Sequence, residues 1–361
     1  MSDPAGDRDA RPDVHRDTDP DTEARLGFLM SHAAHGADPA DAQLVETHMS
    51  WVIVAGEHVL KMKKPVRYPF LDFSTPQLRE RYCREELHLN RRLAPRVYLG
   101  LLALQWHEGR FALVPEDRLP APGVTVDWLV LMRRLPAERM LDRVIAAGTL
   151  RPEDIDEVVA LLSAFYRDAV RTGLAPDAYV ARFRREQAVN RELLRQPRFS
   201  AVQAARTLER LDAAIEAQAA VLRGRVADGR VVDGHGDLRP EHVCLNHPPV
   251  VIDCLEFSTE LRQVDPFDEL AFLGLECAVA GAPWVAQRLV DGAAAALADR
   301  PPEALLHFYT ANRAVLRARL TVAHLLDAQP RTPQRWLPLG RRYLEQAASA
   351  LDAFERAGQA P

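Results

Sequence analysis

The hydrophobic pattern of this 361-residue chain changes near Pro136. Before Pro136, short runs rich in Val, Ile and Trp predict strands, two of which are joined at residues 55–57. After it, most segments are rich in Ala, Leu and Arg and have the period of an amphipathic helix. We therefore predict an α+β chain, in which a β-rich N-terminal lobe with one helix spans residues 23–134 and a mostly helical C-terminal lobe spans residues 135–361.

Composition and charge exclude several classes of protein. The chain has 46 Lys and Arg residues against 51 Asp and Glu residues, a net charge of −5, which argues against binding nucleic acid through bulk positive charge. No apolar run approaches the ~18 residues of a membrane span, and the acidic residues 1–22 predict a disordered tail rather than a signal peptide. Four cysteines do not suggest a disulfide framework, so we expect a cytoplasmic protein. We expect a monomer or a homodimer.

Lysine is confined to one tetrapeptide, Lys61-Met62-Lys63-Lys64, and the other 43 of the 46 basic residues are arginine. Lysine is a compact point charge and arginine is a planar fork, so the two residues serve different chemistry. Alternation along a strand puts Lys61 and Lys63 on one face and Lys64 on the other. The alternative is a chance cluster on a strand edge, where lysine is common, and composition alone favours neither interpretation.

A helix is predicted to begin after Ser74 or Thr75, either of which can act as its N-cap, because proline follows in the first turn. Glu86 lies on the apolar stripe of this helix, four residues after Tyr82. A carboxylate on a buried face needs a partner, because its desolvation is otherwise unfavourable. Glu86 is therefore a candidate partner for the lysine cluster.

Residues 230–257 form a strand-rich island within the helical half of the chain. Two short apolar runs flank a turn, which predicts a hairpin that presents Asp237 and Asp253 from its two ends toward one place. The loop before the hairpin holds three further polar residues, His235, Arg239 and His242. Two carboxylates and a cation suit phosphoryl transfer: one carboxylate orients a hydroxyl, the other holds Mg²⁺, and the cation neutralises the moving phosphoryl group.

The same residues carry a family resemblance. The segments HGDLRPEH at residues 235–242 and IDCLEF at residues 252–257 resemble the aminoglycoside phosphotransferase family, which has a two-lobed protein-kinase-like fold. The resemblance extends to VLKMKKPV, FLDFST and LNRRLAP in the N-terminal half and covers roughly residues 25–330. It is to an uncharacterised bacterial branch, some members of which carry an additional P-loop domain, and this chain has no G-x-x-x-x-G-K-[ST] motif.

The resemblance implies roles for residues of the hairpin. Asp237 matches the catalytic base that accepts or orients the substrate hydroxyl, and His235 matches the residue that braces its loop. Arg239 lies where many kinases place a lysine on the transferring phosphate. Asp253 matches the aspartate that binds Mg²⁺, although Cys-Leu follows it here instead of Phe-Gly. Asp265 is predicted to cap the next helix, and in the resembling family the equivalent residue also braces the catalytic loop.

The resemblance also implies an ATP site in the N-terminal lobe. Lys61 matches the lysine that holds the α- and β-phosphates, and Glu86 matches its helix partner. Lys63 lies on the same strand face and remains an alternative to Lys61. The phosphate-covering loop has no glycine, so donors near Ser50 would replace a Gly-rich loop, and adenine would bind backbone groups near Met132.

One departure from the kinase pattern concerns His242, which stands where kinases have asparagine. Asparagine offers a hard oxygen to the metal, whereas imidazole is a borderline ligand that suits Mg²⁺ poorly. Three interpretations stay open: a single metal ion suffices, His242 binds a phosphate group, or activity is impaired. His242 is therefore a candidate ligand of the metal ion or of the nucleotide.

We predict an ATP-dependent kinase that uses Mg²⁺ and phosphorylates a hydroxyl of a small molecule, such as a sugar or an aminoglycoside-like compound, with no nucleic-acid or membrane partner. The alternative is a nucleotide-binding pseudokinase with a regulatory or scaffolding role, motivated by His242 and the missing Gly-rich loop. A protein kinase fits less well, because no A-P-E segment follows Asp253. A zinc hydrolase fits poorly, because the spacing of His and Cys residues matches no zinc motif.

Overall fold

The computed structural model describes residues 20–31, 34, 42–68, 71–327, 329–330 and 332–359. The chain divides into two compact units. The N-terminal unit comprises residues 1–135 together with residues 256–258, and the C-terminal unit comprises residues 136–255 and 259–361. Most of the predicted tail, residues 1–22, lies outside the described residues.

The N-terminal unit is built around an antiparallel sheet. Its helices and strands are, in chain order, α1 (Pro20–Leu29), β1 (Gln43–Glu46), β2 (Ser50–Ala55), β3 (His58–Lys63), β4 (Arg67–Tyr68), β5 (Leu71–Asp72), α2 (Pro76–Asn90), β6 (Tyr98–His107), β7 (Arg110–Pro115) and β8 (Val124–Arg133). Six strands form one sheet in the order β1-β2-β3-β8-β6-β7, and β4 pairs with β5. The predicted turn at residues 55–57 joins β2 to β3, which confirms this part of the prediction.

Strand β3 separates apolar from charged side chains by simple alternation. Leu60 and Met62 are buried in an apolar cluster with Ile53 of β2. Because successive side chains of a strand point to opposite faces, Lys61 and Lys63 share the other face. The sheet itself therefore fixes the two lysines side by side.

Helix α2 begins at Pro76 with Thr75 as its N-cap, whose hydroxyl oxygen accepts a hydrogen bond from Leu78 N–H at 3.2 Å. The buried positions of the helix include Cys83 and Glu86, which are three residues apart and lie on one face. Glu86 is fully buried, as its place on the apolar stripe predicts. The helix thus delivers a carboxylate into the interior of the N-terminal unit.

A buried ion pair between Arg79 and Asp127 joins α2 to the sheet. Arg79 Nε and Nη2 each donate to the carboxylate of Asp127 in β8 at 2.8 Å, and Arg79 Nη1 donates to the Phe73 carbonyl at 2.9 Å. Both charged side chains are nearly inaccessible to solvent. A bidentate pair of this kind satisfies the donors and acceptors that burial removes from water, and it ties the helix carrying Glu86 to a central strand.

The C-terminal unit is mostly helical. Its helices and strands are, in chain order, α3 (Leu141–Ala146), α4 (Pro152–Asp168), α5 (Pro176–Leu194), α6 (Ala205–Ala227), β9 (Val232–Asp233), β10 (Val243–Cys244), β11 (Val250–Val251), α7 (Thr259–Arg262), β12 (Gln263–Val264), α8 (Pro266–Ala280), α9 (Trp284–Leu297), α10 (Glu303–Ala323) and α11 (Pro333–Ala357). Strands β10 and β11 form the predicted hairpin, with Val243 opposite Val251, and β9 pairs with β12.

The predicted α+β class is confirmed, with the sheet in the N-terminal unit and most helices in the C-terminal unit. Among the described residues, every helix is too short or too polar to cross a membrane. The short strands β9 to β12 lie along the segment that carries Asp237 and Asp253, so the small β elements of the C-terminal unit frame the candidate site.

Replacing Arg79 with leucine should lower the free energy of unfolding of the N-terminal unit by about 3 kcal/mol, because it removes the bidentate partner of the buried Asp127 carboxylate. Urea unfolding followed by tryptophan fluorescence measures this loss. The matched control is Arg67→Leu, since Arg67 is exposed and forms a surface ion pair with Asp72. Equal losses in the two variants would contradict a structural role for the buried pair.

Candidate active site

The loop between β9 and β10 has a backbone path that depends on two glycines. Gly236 has φ = 90°, in the region that favours glycine. A Cβ atom on Gly234 would lie 2.5 Å from Val264 Cγ2 and 2.7 Å from Glu269 Oε2, so a larger residue would displace these groups. The loop can therefore lie directly against the Glu269 side chain.

Glu269, in the first turn of α8, accepts hydrogen bonds from the backbone of this loop. The N–H of His235 donates to Oε1 at 2.9 Å, the N–H of Gly236 donates to the same oxygen, and the Tyr166 hydroxyl donates to Oε2 at 2.9 Å. Burial raises the pKa of Glu269, and the amide and hydroxyl donors oppose that rise. Glu269 therefore fixes the loop through main-chain atoms.

The family resemblance implies a bracing role for Asp265 in addition to capping, but in the structure the contact with the loop is made by Glu269. Asp265 caps α8 by accepting a hydrogen bond from Phe267 N–H at 3.0 Å, and Arg225 Nε donates to its carboxylate at 2.6 Å. The capping prediction is confirmed, but the carboxylate that reaches the loop belongs to Glu269. The sequence feature that could have identified Glu269 is its place as an acidic residue inside the apolar run of α8, because a buried carboxylate needs hydrogen-bond donors.

His235 is fully buried below the loop. Its Nε2 donates to the Ile252 carbonyl at 2.9 Å, and its Nδ1 accepts the N–H of Asp237 at 3.3 Å. Burial, with a smaller contribution from His242, lowers the pKa of His235 to about 4. The neutral His235 ring therefore connects Ile252, the residue before Asp253, to the backbone of Asp237.

Asp237 and Arg239 form an ion pair at the surface of the loop. Arg239 Nε donates to Asp237 Oδ2 at 3.0 Å, and Arg239 Nη1 lies 2.6 Å from Glu241 Oε1. Burial acts to raise the pKa of Asp237, but Arg239 and then His242 outweigh it, so the pKa lies below its usual range. Asp237 is therefore an ionised carboxylate that accepts hydrogen bonds and binds protons weakly.

His242 brings the two aspartates of the hairpin to one imidazole ring. Its Nδ1 lies 2.8 Å from the Asp237 carbonyl oxygen and 3.9 Å from Asp237 Oδ2, and its Nε2 lies 3.5 Å from Asp253 Oδ2. Asp253 has φ = 64°, which is uncommon for a residue other than glycine and often marks a functional position. The hairpin thus brings Asp237, His242 and Asp253 together.

The N-terminal unit holds a separate cluster around Glu86. Lys61 Nζ lies 2.8 Å from Glu86 Oε1, and Lys63 Nζ donates to Glu86 Oε2 at 2.6 Å. Lys63 also donates to Glu256, three residues after Asp253, and its ammonium lies 4.9 Å from the centre of the Phe73 ring. Sequence reasoning missed Glu256 as a lysine partner.

Burial and opposite charge act against each other within this cluster. Desolvation acts to lower the pKa of Lys63, but Glu256 and Glu86 outweigh it and raise that pKa, so the ammonium stays charged. Burial raises the pKa of Glu256, with Lys63 opposing the rise. Lys63 is 1% exposed and Lys61 is 16% exposed, so Lys61 is the more accessible of the two ammonium groups.

The remaining predicted nucleotide contacts lie in the sheet. Ser50 begins β2, is buried, and its N–H donates to Thr47 Oγ1 at 2.9 Å across the turn from β1. Met132 lies in β8 and is paired on both sides, with Val59 of β3 and Tyr98 of β6. Met132 therefore lies in a strand that is paired on both sides. Contacts of Ser50 and Met132 with a nucleotide remain predictions.

The donor set near Asp253 fits a divalent cation, because a carboxylate oxygen and an imidazole nitrogen face each other at 3.5 Å. It departs from the all-oxygen set that Mg²⁺ prefers. In the N-terminal unit, the partly exposed Lys61 ammonium is the kind of point charge that binds phosphate groups.

Comparison of the sequence finds relatives in mycobacteria. Uncharacterized proteins of Mycobacterium tuberculosis (strain ATCC 25618 / H37Rv) and of Mycobacterium bovis are 31% identical to this chain over 314 residues, which is 85% of this chain and 60% of each relative. The chain therefore spans three fifths of the length of the curated relatives it matches. No family model matches the sequence.

Comparison of the structure finds small-molecule kinases. An ethanolamine kinase of Plasmodium vivax is similar with a TM-score of 0.53 and 9% sequence identity, over 94% of this chain and 91% of that chain. An ADP-bound aminoglycoside phosphotransferase, APH(2'')-Ib, has a TM-score of 0.49 and 12% identity, over 92% of this chain and 99% of that chain. The likeness to the ethanolamine kinase shows that this chain shares the fold of that protein, in agreement with the two-lobed kinase-like fold that the sequence resemblance implies.

Lowering the pH from 6.5 to 4 should remove about 3 kcal/mol of unfolding free energy from the C-terminal unit through His235. Its pKa in the folded chain, about 4, is below its ordinary value of 6.5, so between these values the unfolded state binds a proton and the folded state does not. This contribution is complete above pH 6.5 and is lost as the pH falls. Urea unfolding at a series of pH values measures the slope.

The control for this pH dependence is His235→Asn, which removes the titrating group while other carboxylates and histidines keep titrating. The variant should show a smaller decrease of stability than the wild-type chain between pH 6.5 and pH 4. The same pH slope in both proteins would contradict a neutral, buried His235.

Proposed function

We propose that the chain is an ATP-dependent phosphotransferase that phosphorylates a hydroxyl of a small molecule. The observation that carries this proposal is the arrangement of Asp237 and Asp253 around His242, with Arg239 on Asp237. Two carboxylates and a guanidinium on a short hairpin suit the positioning and charge stabilisation by which kinases work. The small-molecule kinases among the structural neighbours agree with this reaction class.

Asp237 orients the acceptor hydroxyl in this proposal. Its pKa lies below the usual range because Arg239 and His242 outweigh the effect of burial, so it is a weak general base at neutral pH. A hydrogen bond from the substrate hydroxyl to Oδ2 would hold the oxygen in line for attack on the terminal phosphate. Arg239, already bound to that carboxylate, supplies positive charge where the phosphoryl group is transferred.

Asp253 holds a divalent cation in this proposal, for which the family resemblance implies Mg²⁺. When bound, such a cation neutralises phosphate charge. Asp253 follows β11, and its neighbour Ile252 is fixed because the carbonyl of Ile252 accepts a hydrogen bond from His235 and its N–H donates to the His242 carbonyl at 2.9 Å. The position of the carboxylate is therefore determined by the same loop that carries Asp237.

Lys61 binds the nucleotide phosphates, and Lys63 supports it as a positioning residue. Lys63 is surrounded by Glu86, Glu256 and the Phe73 ring, so its ammonium is already committed within the protein. Lys61 shares Glu86 and is more exposed. These contacts favour Lys61 over Lys63 as the lysine that binds the nucleotide phosphates.

A second candidate function is a nucleotide-binding pseudokinase, which the presence of His242 instead of asparagine favours. The two candidates are distinguished by ATP consumption with Mg²⁺ or Mn²⁺ and pools of hydroxyl-bearing acceptors, including amino sugars and ethanolamine. ATP consumption that requires one acceptor pool supports the phosphotransferase. Nucleotide binding without turnover on every pool supports the pseudokinase.

Replacing Asp237 with asparagine should reduce kcat by about 10²- to 10⁴-fold, because an amide is a poorer acceptor for the substrate hydroxyl and carries no charge. Nucleotide affinity should remain within a factor of about 2, since Asp237 is assigned to the acceptor. Coupled ADP release and nucleotide titration measure the two quantities. Turnover at the wild-type rate in this variant would refute the assignment.

The three lysines allow a matched comparison. Lys61→Met should weaken nucleotide binding by about 10- to 100-fold, the effect of losing a hydrogen bond to a charged group, and should lower the melting temperature less than Lys63→Met, because Lys63 still pairs with Glu86. Lys63→Met should lower stability by about 3 kcal/mol, because Lys63 is the buried ammonium that pairs with both Glu86 and Glu256.

Lys64→Met is the control for both variants, since Lys64 pairs with the exposed Glu46 and lies over the Trp51 ring. Isothermal titration with an ATP analogue and thermal unfolding separate the two effects. Weakened nucleotide binding in a fully stable Lys63→Met variant would reverse the assignment of the two lysines.

A further inference from the structure

Each of the two nitrogen atoms of His242 has a hydrogen-bonding neighbour. Nδ1 lies 2.8 Å from the Asp237 carbonyl oxygen, which can only accept, so Nδ1 carries the proton. Nε2 lies 3.3 Å from Arg239 Nη2, which can only donate, so Nε2 presents its lone pair. Both contacts fit the tautomer with the proton on Nδ1, in which Nε2 is an electron-pair donor.

The lone pair of Nε2 lies next to a carboxylate. His242 Nε2 and Asp253 Oδ2 are 3.5 Å apart. Metal–ligand bonds of about 2.1 Å place neighbouring ligand atoms about 3.0 to 3.4 Å apart for octahedral or tetrahedral coordination. The two atoms are therefore spaced closely enough to bind one cation together after a small side-chain adjustment.

The charge around the pair also suits a divalent cation. Asp237, Asp253 and Glu241 contribute three formal negative charges, and Arg239 contributes one positive charge, so these four side chains have a summed formal charge of −2. The Arg239 contact with Nε2 is the one that an incoming cation would replace. Arg239 would keep its contacts with Asp237 and Glu241, which use different nitrogen atoms.

An imidazole nitrogen changes which cation binds well. Mg²⁺ is a hard ion that prefers oxygen ligands and keeps several waters, whereas first-row transition ions accept imidazole nitrogen readily. We propose that His242 Nε2 and Asp253 form a nitrogen-and-oxygen site that selects a transition-metal ion such as Mn²⁺ over Mg²⁺. This inference rests on the proposed function, because it concerns the cation of the same site.

His242→Asn is a close structural replacement. The asparagine amide N–H can replace Nδ1–H as donor to the Asp237 carbonyl, and the amide oxygen offers a hard ligand in place of Nε2. The variant therefore changes the ligand chemistry while keeping the hydrogen bond that anchors the side chain. His247→Asn is the matched control, because His247 is an exposed histidine of the hairpin turn.

The experiment uses the full chain with Mn²⁺ and the β,γ-methylene analogue of ATP, which has no bridging nitrogen. Pulsed electron paramagnetic resonance detects ¹⁴N coupled to Mn²⁺, and titration of Mn²⁺ against Mg²⁺ measures the ratio of their dissociation constants. We expect histidine ¹⁴N coupling in the wild-type chain and in His247→Asn, and its loss in His242→Asn. The preference for Mn²⁺ should fall by roughly 10- to 100-fold in His242→Asn.

The outcomes separate this inference from the proposed function. Asp253-dependent Mn²⁺ binding with identical ¹⁴N coupling in wild-type and His242→Asn chains would overturn the nitrogen ligand and leave the phosphotransferase proposal intact. An unchanged ratio of dissociation constants in His242→Asn would also overturn it. Failure of the wild-type chain to bind both Mn²⁺ and the nucleotide analogue would refute the proposed function together with the inference.

Discussion

The loop that carries Asp237 depends on one buried carboxylate. Glu269 is 1% exposed and accepts hydrogen bonds from the N–H groups of His235 and Gly236 and from the Tyr166 hydroxyl. A carboxylate so deeply buried is stable only when protein donors replace its water, so the loop and α8 hold each other in place. Because Asp237 directly follows Gly236, its position is set by this interaction.

The same constraint operates independently in the N-terminal unit. Glu86 is buried and receives both Lys61 and Lys63, and Glu256 provides a second carboxylate for Lys63. Two ammonium groups and two carboxylates make the cluster neutral overall, which is the condition under which charges tolerate burial. Lys63 compensates the buried acids, and the more exposed Lys61 is consequently the ammonium better placed to bind another anion.

Sequence patterns predicted those residues of the lysine cluster whose positions depend on local backbone geometry. Strand alternation places Lys61 and Lys63 on one face, and the helical stripe places Glu86 inside, because both rules follow from backbone geometry. The pairing of Lys63 with Glu256 spans 193 positions and depends on the path of the whole chain, which no periodicity encodes. Glu269 was missed for another reason: its loop donors are main-chain N–H groups, which nearly every residue possesses and no sequence letter distinguishes.

His242 illustrates how one substitution can keep a geometry and change a chemistry. Asparagine and neutral histidine each offer a nitrogen donor group and an acceptor atom on opposite sides of the side chain. The donor side of His242 is held by the Asp237 carbonyl, within a loop whose backbone Glu269 and His235 already fix. The exchange therefore leaves the frame of the hairpin undisturbed and alters the hardness of the acceptor that faces Asp253. Since hardness determines which cation such an atom prefers, metal selectivity is the property that we propose for this position.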